Sequence, residues 1–275
     1  MNKFLIELIK FYINKIPNKN TKGRKNEKDI EHYIEVIYKV LRSGSQWKNI
    51  NSPLHYTTYH KKFIKWNNND LFQNVFYIII KLLKYENILN NDFLKDLYID
   101  STMIKNIRGT EFLGSNHYDR NRNGNKVSII VTKNGIPLGM SLSTSNIHDI
   151  NLVENTLDDV KIKIVGSRLG GDKGYISKKL KDKLKNEKNI DLVTNLRDNS
   201  KESLKDNEKI FLKRRHIVEN TFSWLKNNKK LINRYESKAI NFEQNWYFSF
   251  ILLITNKYKN LSFNSNIINY IFNNL

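Results

Sequence analysis

The stretch "KVSIIVTKNGIPLGMSLS", residues 126–143, decides the fold. Two β-forming runs, 126–132 and 137–143, flank Asn134-Gly135, a pair that suits a tight turn between neighbouring strands. Upstream, "LYIDST" (97–102) reads as a short strand ending in Asp100. Downstream, "DINLVENTLDDV" (149–160) reads as a helix. "KIKIVGSRLGGDKGY" (161–175) reads as a strand running into a Gly-rich turn around Asp172. A short helix then leads to the strand "IDLVTNL" (190–196). Strands first, then alternation with helices, predicts an α/β fold: a mixed sheet flanked by helices.

Two helices follow. "KRRHIVENTFSWLKNNKK" (213–230) puts Val218, Phe222 and Leu225 on one apolar stripe, and a second apolar helix covers about 242–257. The N-terminal third differs in character. Residues 2–16 form an amphipathic helix, and 17–28 are a polar, basic connector. A second helix starts near Asp29 and stops near Gly44, which suits a C-cap. Helices at 55–66 and 70–88 complete a helix-turn-helix-like order. A plain helical bundle fits the same pattern. The expected division is 1–92, an N-terminal helical domain, and 93–275, the domain of the mixed sheet.

The chain has 275 residues and a formal net charge of +20, with a pI near 9.8. An excess this large argues for a polyanionic partner, nucleic acid first. AT-rich coding, which favours Lys, Asn and Ile, explains part of it. Cysteine is absent, which excludes disulfides and thiolate metal sites. Glu7 and Lys10 interrupt the first apolar run, so it does not read as a signal peptide. The longest apolar stretch, near 246–255, is too short to span a membrane. The expectation is a soluble, cytoplasmic, nucleoid-associated protein, or a nuclear one in a eukaryotic or viral host.

Three carboxylates invite a joint reading. Asp100 follows an apolar strand, Asp172 sits between glycines at the end of another, and Glu219 lies on a helix. Alone, each is an ordinary turn, cap or ion-pair residue. Together they offer the oxygen ligands that suit Mg²⁺ or Mn²⁺. Two such ions roughly 4 Å apart activate a water or 3′-hydroxyl and stabilise the leaving oxygen of a phosphodiester. At 100° per residue, Arg215, Glu219 and Lys226 fall within about 40° of one another, so the cations can contact phosphates beside the carboxylate.

At these residues the chain resembles a DDE transposase of the insertion-sequence type, in the IS-four/IS-five-like group. The matching pieces are "YIDST", "GDKGY" and "RRHIVENTFSWLK". The family signature runs Tyr, two residues, Arg, three residues, Glu, six residues, Lys. Arg215, Glu219 and Lys226 match it, and Leu212 stands at the Tyr position. "LRSGSQWKNI" and "TTYHKKFIKWNNNDLF" resemble the family's N-terminal helical domain. The resemblance implies a ribonuclease-H-like catalytic domain with Asp100, Asp172 and Glu219 as catalytic metal ligands. It also implies two Mg²⁺ (or Mn²⁺) ions, cleavage at terminal inverted repeats, and joining of 3′-OH ends to target DNA. The partners implied are double-stranded DNA and a second copy of the chain at least.

Further residues stand beside this set. Arg120, Arg122 and Lys126 in the basic loop "HYDRNRNGNK" (117–126), and Lys173 after Asp172, are candidate phosphate contacts. His148 and Asp149 match a recurrent family pair, with Asp149 read as a helix N-cap. His216 is not needed as a base where metal activates the nucleophile, and Trp224 reads as core. Two alternatives remain: a host-serving metal-dependent DNA nuclease, and a non-catalytic DNA-binding protein derived from a transposase.

Overall fold

The run at 126–132 becomes the middle of a sheet in the computed structural model, which describes residues 2–16, 29–197, 203–262 and 264–274. The basic connector expected at 17–28 lies outside these residues. The helices are α1 (Lys3–Lys15), α2 (Ile30–Ser43), α3 (Tyr56–Asn67), α4 (Leu71–Tyr85), α5 (Asn91–Lys95), α6 (Val153–Asp158), α7 (Lys178–Lys188), α8 (Asp206–Lys213), α9 (His216–Leu225), α10 (Ala239–Lys257) and α11 (Ser265–Asn273). The strands are β1 (Asp96–Asn106), β2 (Gly114–Asn116), β3 (Arg122–Thr132), β4 (Pro137–Thr144), β5 (Arg168–Gly171), β6 (Asp191–Thr194) and β7 (Asn233–Arg234). Two compact units emerge. One gathers residues 1–79, 107–109 and 225–275; the other gathers 80–106 and 110–224. The C-terminal helices thus cluster with the N-terminal ones, a cut that differs from 1–92 and 93–275.

In the sheet unit, β3 runs antiparallel to both β1 and β4. Past β1 the sheet turns parallel: β5 pairs with β1, and β6 with β5. This order, β4-β3-β1-β5-β6 with short β2 also on β3, is the ribonuclease-H-like arrangement that the resemblance implies. From Gly124 to Thr132, β3 is buried at every position, with Val127, Ile129, Ile130 and Val131 as its apolar part and Asn125, Lys126, Ser128 and Thr132 buried beside them. Gly135 takes φ +71° in the tight turn before β4, where a side chain would be strained. The parallel step from β5 to β6 needs a crossover, which α7 supplies.

Helix α8, not expected from the sequence, covers β5. Phe211 stacks on Tyr98 at 5.0 Å, and the Tyr98 hydroxyl donates to the Phe211 carbonyl at 3.1 Å. Gly170 makes room for both: a Cβ there would lie 2.9 Å from Tyr98 Cδ1 and 3.0 Å from Phe211 Cε1. Gly170→Ala is therefore expected to cost about 1–3 kcal/mol by overpacking. The check is a lower urea midpoint at unchanged m-value.

In the helical unit, Asp29 caps α2, and Gly44 ends it at φ +72°, as the sequence suggests. Helix α10 is buried along most of its length, including Trp246, Phe248, Phe250 and Ile251. A helix apolar on nearly all sides belongs in a core. Phe248 stacks on Phe72 at 4.3 Å, and Phe76 meets Tyr247 and Phe250. Gln244 Oε1 accepts from the amides of Phe72 and Gln73, closing the start of α4 across the fold. No helix among the described residues is long and apolar enough to cross a membrane.

Candidate active site

Sheet register brings the first two aspartates level. Tyr98 pairs with Gly170 as the last step of the β1–β5 ladder. Asp100 lies two residues beyond Tyr98, and Asp172 two beyond Gly170. Neighbouring strands lie about 4.8 Å apart, so the two carboxylates leave the sheet side by side where the parallel ladder ends. Crevices beyond the carboxyl ends of parallel strands are the usual place for ligands in such sheets. The expected short strand ending at Asp100 is in fact longer. β3 continues to pair with β1 as far as Lys105, so β1 runs on past the aspartate. What ends near Asp100 is its other neighbour, β5.

Glu219 arrives from α9. Val218 and Phe222 are buried, and Thr221 and Ile217 face the β3–β4 turn at Gly135. Arg215, just before α9, joins the carboxylates. Its Nη1 donates to Asp100 Oδ2 at 3.3 Å and its Nη2 to Glu219 Oε1 at 2.6 Å. The Ser101 amide donates to Asp100 Oδ1 at 2.8 Å. Asp172 Oδ1 accepts from the Gly174 amide at 2.8 Å, capping the 3-10 turn Lys173–Tyr175.

The electrostatics show that the three acids share one region. Burial pushes the Asp100 carboxyl up to about 6; the Ser101 amide and Arg215 oppose this, and the charges of Asp172 and Glu219 add to it. Among the described residues, no group of three or more His, Asp or Glu stands close enough as arranged to hold a metal ion. The donor type nevertheless fits a hard divalent cation. All three are carboxylates, and Asp100 carries an unfavourable charge that such a cation would relieve. Arg215 pairs with both Asp100 and Glu219, so it neutralises part of the charge that these carboxylates would offer to a cation.

The remaining candidates divide. Arg120 and Arg122 are exposed, Arg120 at φ +52°, and Lys173 is exposed on the Asp172 turn. Lys126 corrects the sequence reading. β3 starts at Arg122, so Lys126 sits inside the sheet and not on a loop. Its side chain is 7% exposed, and its ammonium donates to the Ile147 carbonyl at 2.7 Å and pairs with Asp149 at 3.0 Å. Those bonds occupy it, so it is no phosphate contact. Lys226 follows the end of α9 and falls in the helical unit, where burial lowers its pKa. His216 is exposed, its Nδ1 against the Lys213 carbonyl at 2.9 Å.

Asp149 is not a helix cap either. His148 holds the N-cap position of the 3-10 turn Asp149–Leu152, and the Asp149 carboxylate points elsewhere. Its Oδ1 accepts from the Ser101 hydroxyl at 2.6 Å. Ser101 and Tyr175 are site residues that sequence reasoning missed. Their signal was adjacency: Ser101 follows Asp100, and Tyr175 closes "GDKGY".

Comparison with known proteins gives one family match: residues 121–237 match the model described as "Transposase DDE domain". The matched span contains Asp172 and Glu219 and begins after Asp100. No curated protein matches the chain. Among solved structures, it is similar to a piggyBac transposase synaptic complex with hairpin DNA, at 9% identity and TM-score 0.43, over 100% of this chain and 83% of that one. It is also similar to a Mos1 transposase paired-end complex with left transposon end, at 10% identity and TM-score 0.27, over 78% and 84%.

Proposed function

We propose that this chain, which carries a transposase DDE domain at residues 121–237, is a DNA transposase that cleaves at terminal inverted repeats and joins the freed 3′-OH ends to target DNA. The observation that carries the reading is Arg215 bridging Asp100 and Glu219, while Asp172 lies level with Asp100. When bound, two Mg²⁺ or Mn²⁺ ions supply the Lewis acidity that activates the attacking oxygen and stabilises the leaving one. Asp100, Asp172 and Glu219 would hold them.

The chain's own residues do the rest. Arg215 holds Asp100 and Glu219 together, and its planar guanidinium is the kind of group that would also bind a phosphate oxygen of the DNA. Lys226, the last residue of the family signature, is a further candidate for a phosphate contact, as are the exposed Arg120, Arg122 and Lys173. The charge of +20 draws DNA in and makes binding salt-dependent. Residues 1–92 contribute end recognition and dimer contacts, because joining two ends asks for two copies at least.

The test is incubation of the protein with a plasmid bearing its gene's native flanking DNA, with and without Mg²⁺, beside Asp172→Ala. Metal-dependent cuts at the flanking ends, absent in the variant, are expected. Scattered cuts would favour a host-serving nuclease. Binding without cleavage under any divalent ion would leave a non-catalytic DNA-binding protein.

A further inference from the structure

The acidic site contains a fourth carboxylate that the proposed reaction does not use. Asp149 Oδ1 takes the Ser101 hydroxyl at 2.6 Å and the Lys126 ammonium at 3.0 Å. Lys126 is itself pinned by the Ile147 carbonyl at 2.7 Å, two residues before Asp149. A buried ammonium is stable only when paired and hydrogen-bonded, so Lys126 and Asp149 hold each other in place. Ser101 is the residue after Asp100, and its amide supports the Asp100 carboxylate. One oxygen of Asp149 is thus tied to the strand that carries the first acid.

The other oxygen faces the second acid. A Cβ placed on Gly174 would lie 3.0 Å from Asp172 Oδ1 and 3.6 Å from Asp149 Oδ2. Both carboxylates converge on the same glycine, which leaves them room to do so. An independent observation marks this corner as a ligand site. Tyr175 is fully buried, and its hydroxyl makes no hydrogen bond. Ser101 is close to it, but the two hydroxyls are not placed to hydrogen-bond, and the serine proton goes to Asp149. Asp149, Asp100 and Asp172 all lie near that hydroxyl and hold its pKa up alongside burial. A buried hydroxyl without a partner is costly, and an oxygen carried in with a cation would satisfy it.

We propose that Asp149 is a positioning residue: clamped by Lys126 and Ser101, it ties the Asp100 strand to the Asp172 turn and sets the spacing at which those two acids present oxygens to a divalent cation. The inference rests on the reading of Asp100 and Asp172 as cation ligands. Groups behind first ligands typically change metal affinity 10- to 100-fold when replaced.

The experiment compares wild type, Asp149→Asn, Ser101→Ala and Asp172→Asn. Mn²⁺ binding without DNA is read by the free-ion electron paramagnetic resonance signal. Cleavage of the native flanking DNA is measured as kcat and KM, and metal-free melting is recorded for each. Asp149→Asn is expected to weaken Mn²⁺ about 10- to 100-fold and to lower kcat, with KM for DNA within about twofold. Ser101→Ala, which leaves the Lys126 pair intact, should weaken Mn²⁺ by a smaller factor and guards against an Asp149→Asn that fails to fold. Mn²⁺ titrations of both variants that superimpose on wild type would overturn the proposal, as would a wild type that binds no Mn²⁺. A wild type that binds Mn²⁺ yet cleaves nothing would sink the transposase reading alone, and the Mn²⁺ comparison would still decide the role of Asp149.

Discussion

Asp100→Asn is expected to abolish cleavage and, in the same protein, to raise stability when metal is absent. The catalytic loss should reach on the order of 10³-fold or more, the several kcal/mol that a correctly held metal charge supplies to a phosphodiester transition state. The gain in stability follows from linkage. The Asp100 carboxyl sits at about 6 in the folded chain, against an ordinary aspartate value of 3.8. Its folded form therefore binds a proton more tightly than its unfolded form. The stability it contributes is fully present below about pH 4 and is lost as pH rises through about 6. An amide carries no such charge. The variant should gain roughly 1–2 kcal/mol at pH 7, less than the whole shift implies because Arg215 loses one of its two partners. Urea unfolding in EDTA at pH 4 and pH 7 checks this: the variant's advantage should appear only at the higher pH. Equal stability of the two proteins at both values would remove the argument that the acid is held at a cost. Active sites commonly trade stability for function in this way.

Phe248→Ala should have the largest purely structural effect, about 3–5 kcal/mol. Phe248 is fully buried in the middle of α10 and lies nearly parallel to Phe72, at 14° between planes. Both rings come from helices that carry no candidate metal ligand. Its removal leaves a cavity between α4 and α10 that the neighbouring Phe76, Tyr247 and Phe250 cannot fill without leaving their own contacts. Differential scanning calorimetry should show a lower Tm for the helical unit. A loss below about 1 kcal/mol would mean that this core collapses freely around the gap.

Some of the molecule was legible because short-range chemistry determines it. Asp29 and Gly44 bound α2 by capping, and Gly135 turns the β3–β4 hairpin. The Arg215–Glu219 pair follows from helical spacing. Other features depend on partners far along the chain. Arg215 also reaches Asp100, 115 residues away, and no local pattern records that. β1 runs past Asp100 only because β3 stays alongside. Lys126 stood where two readings met, the end of a basic loop and the start of a β-forming run, and only its distant partners Ile147 and Asp149 separate the two. Helix α8 hid for another reason. Its start is closed by the Glu208 carboxylate on the Lys205 amide, with no Ser, Thr, Asp or Asn at the cap. Asp149 looked like a cap because Asp favours that place, yet a buried ammonium outcompeted the backbone for it.

The discontinuous helical unit has a consequence for how the chain is made. Its first residues, through Ile79, leave the ribosome long before Ala239–Lys257, the helix that fills their core. At roughly 5–20 residues per second, the nascent apolar faces of α1 to α4 wait about 10–40 s for that helix. The sheet unit between them is complete in the meantime and can fold as the chain emerges. During that interval Phe72 and Phe76 stand without Phe248 and Phe250, so the waiting segment is the part of the molecule that asks for a chaperone. A premature stop anywhere before α10 would leave those faces open for good, turning a truncated copy into an aggregation-prone one rather than a smaller working protein.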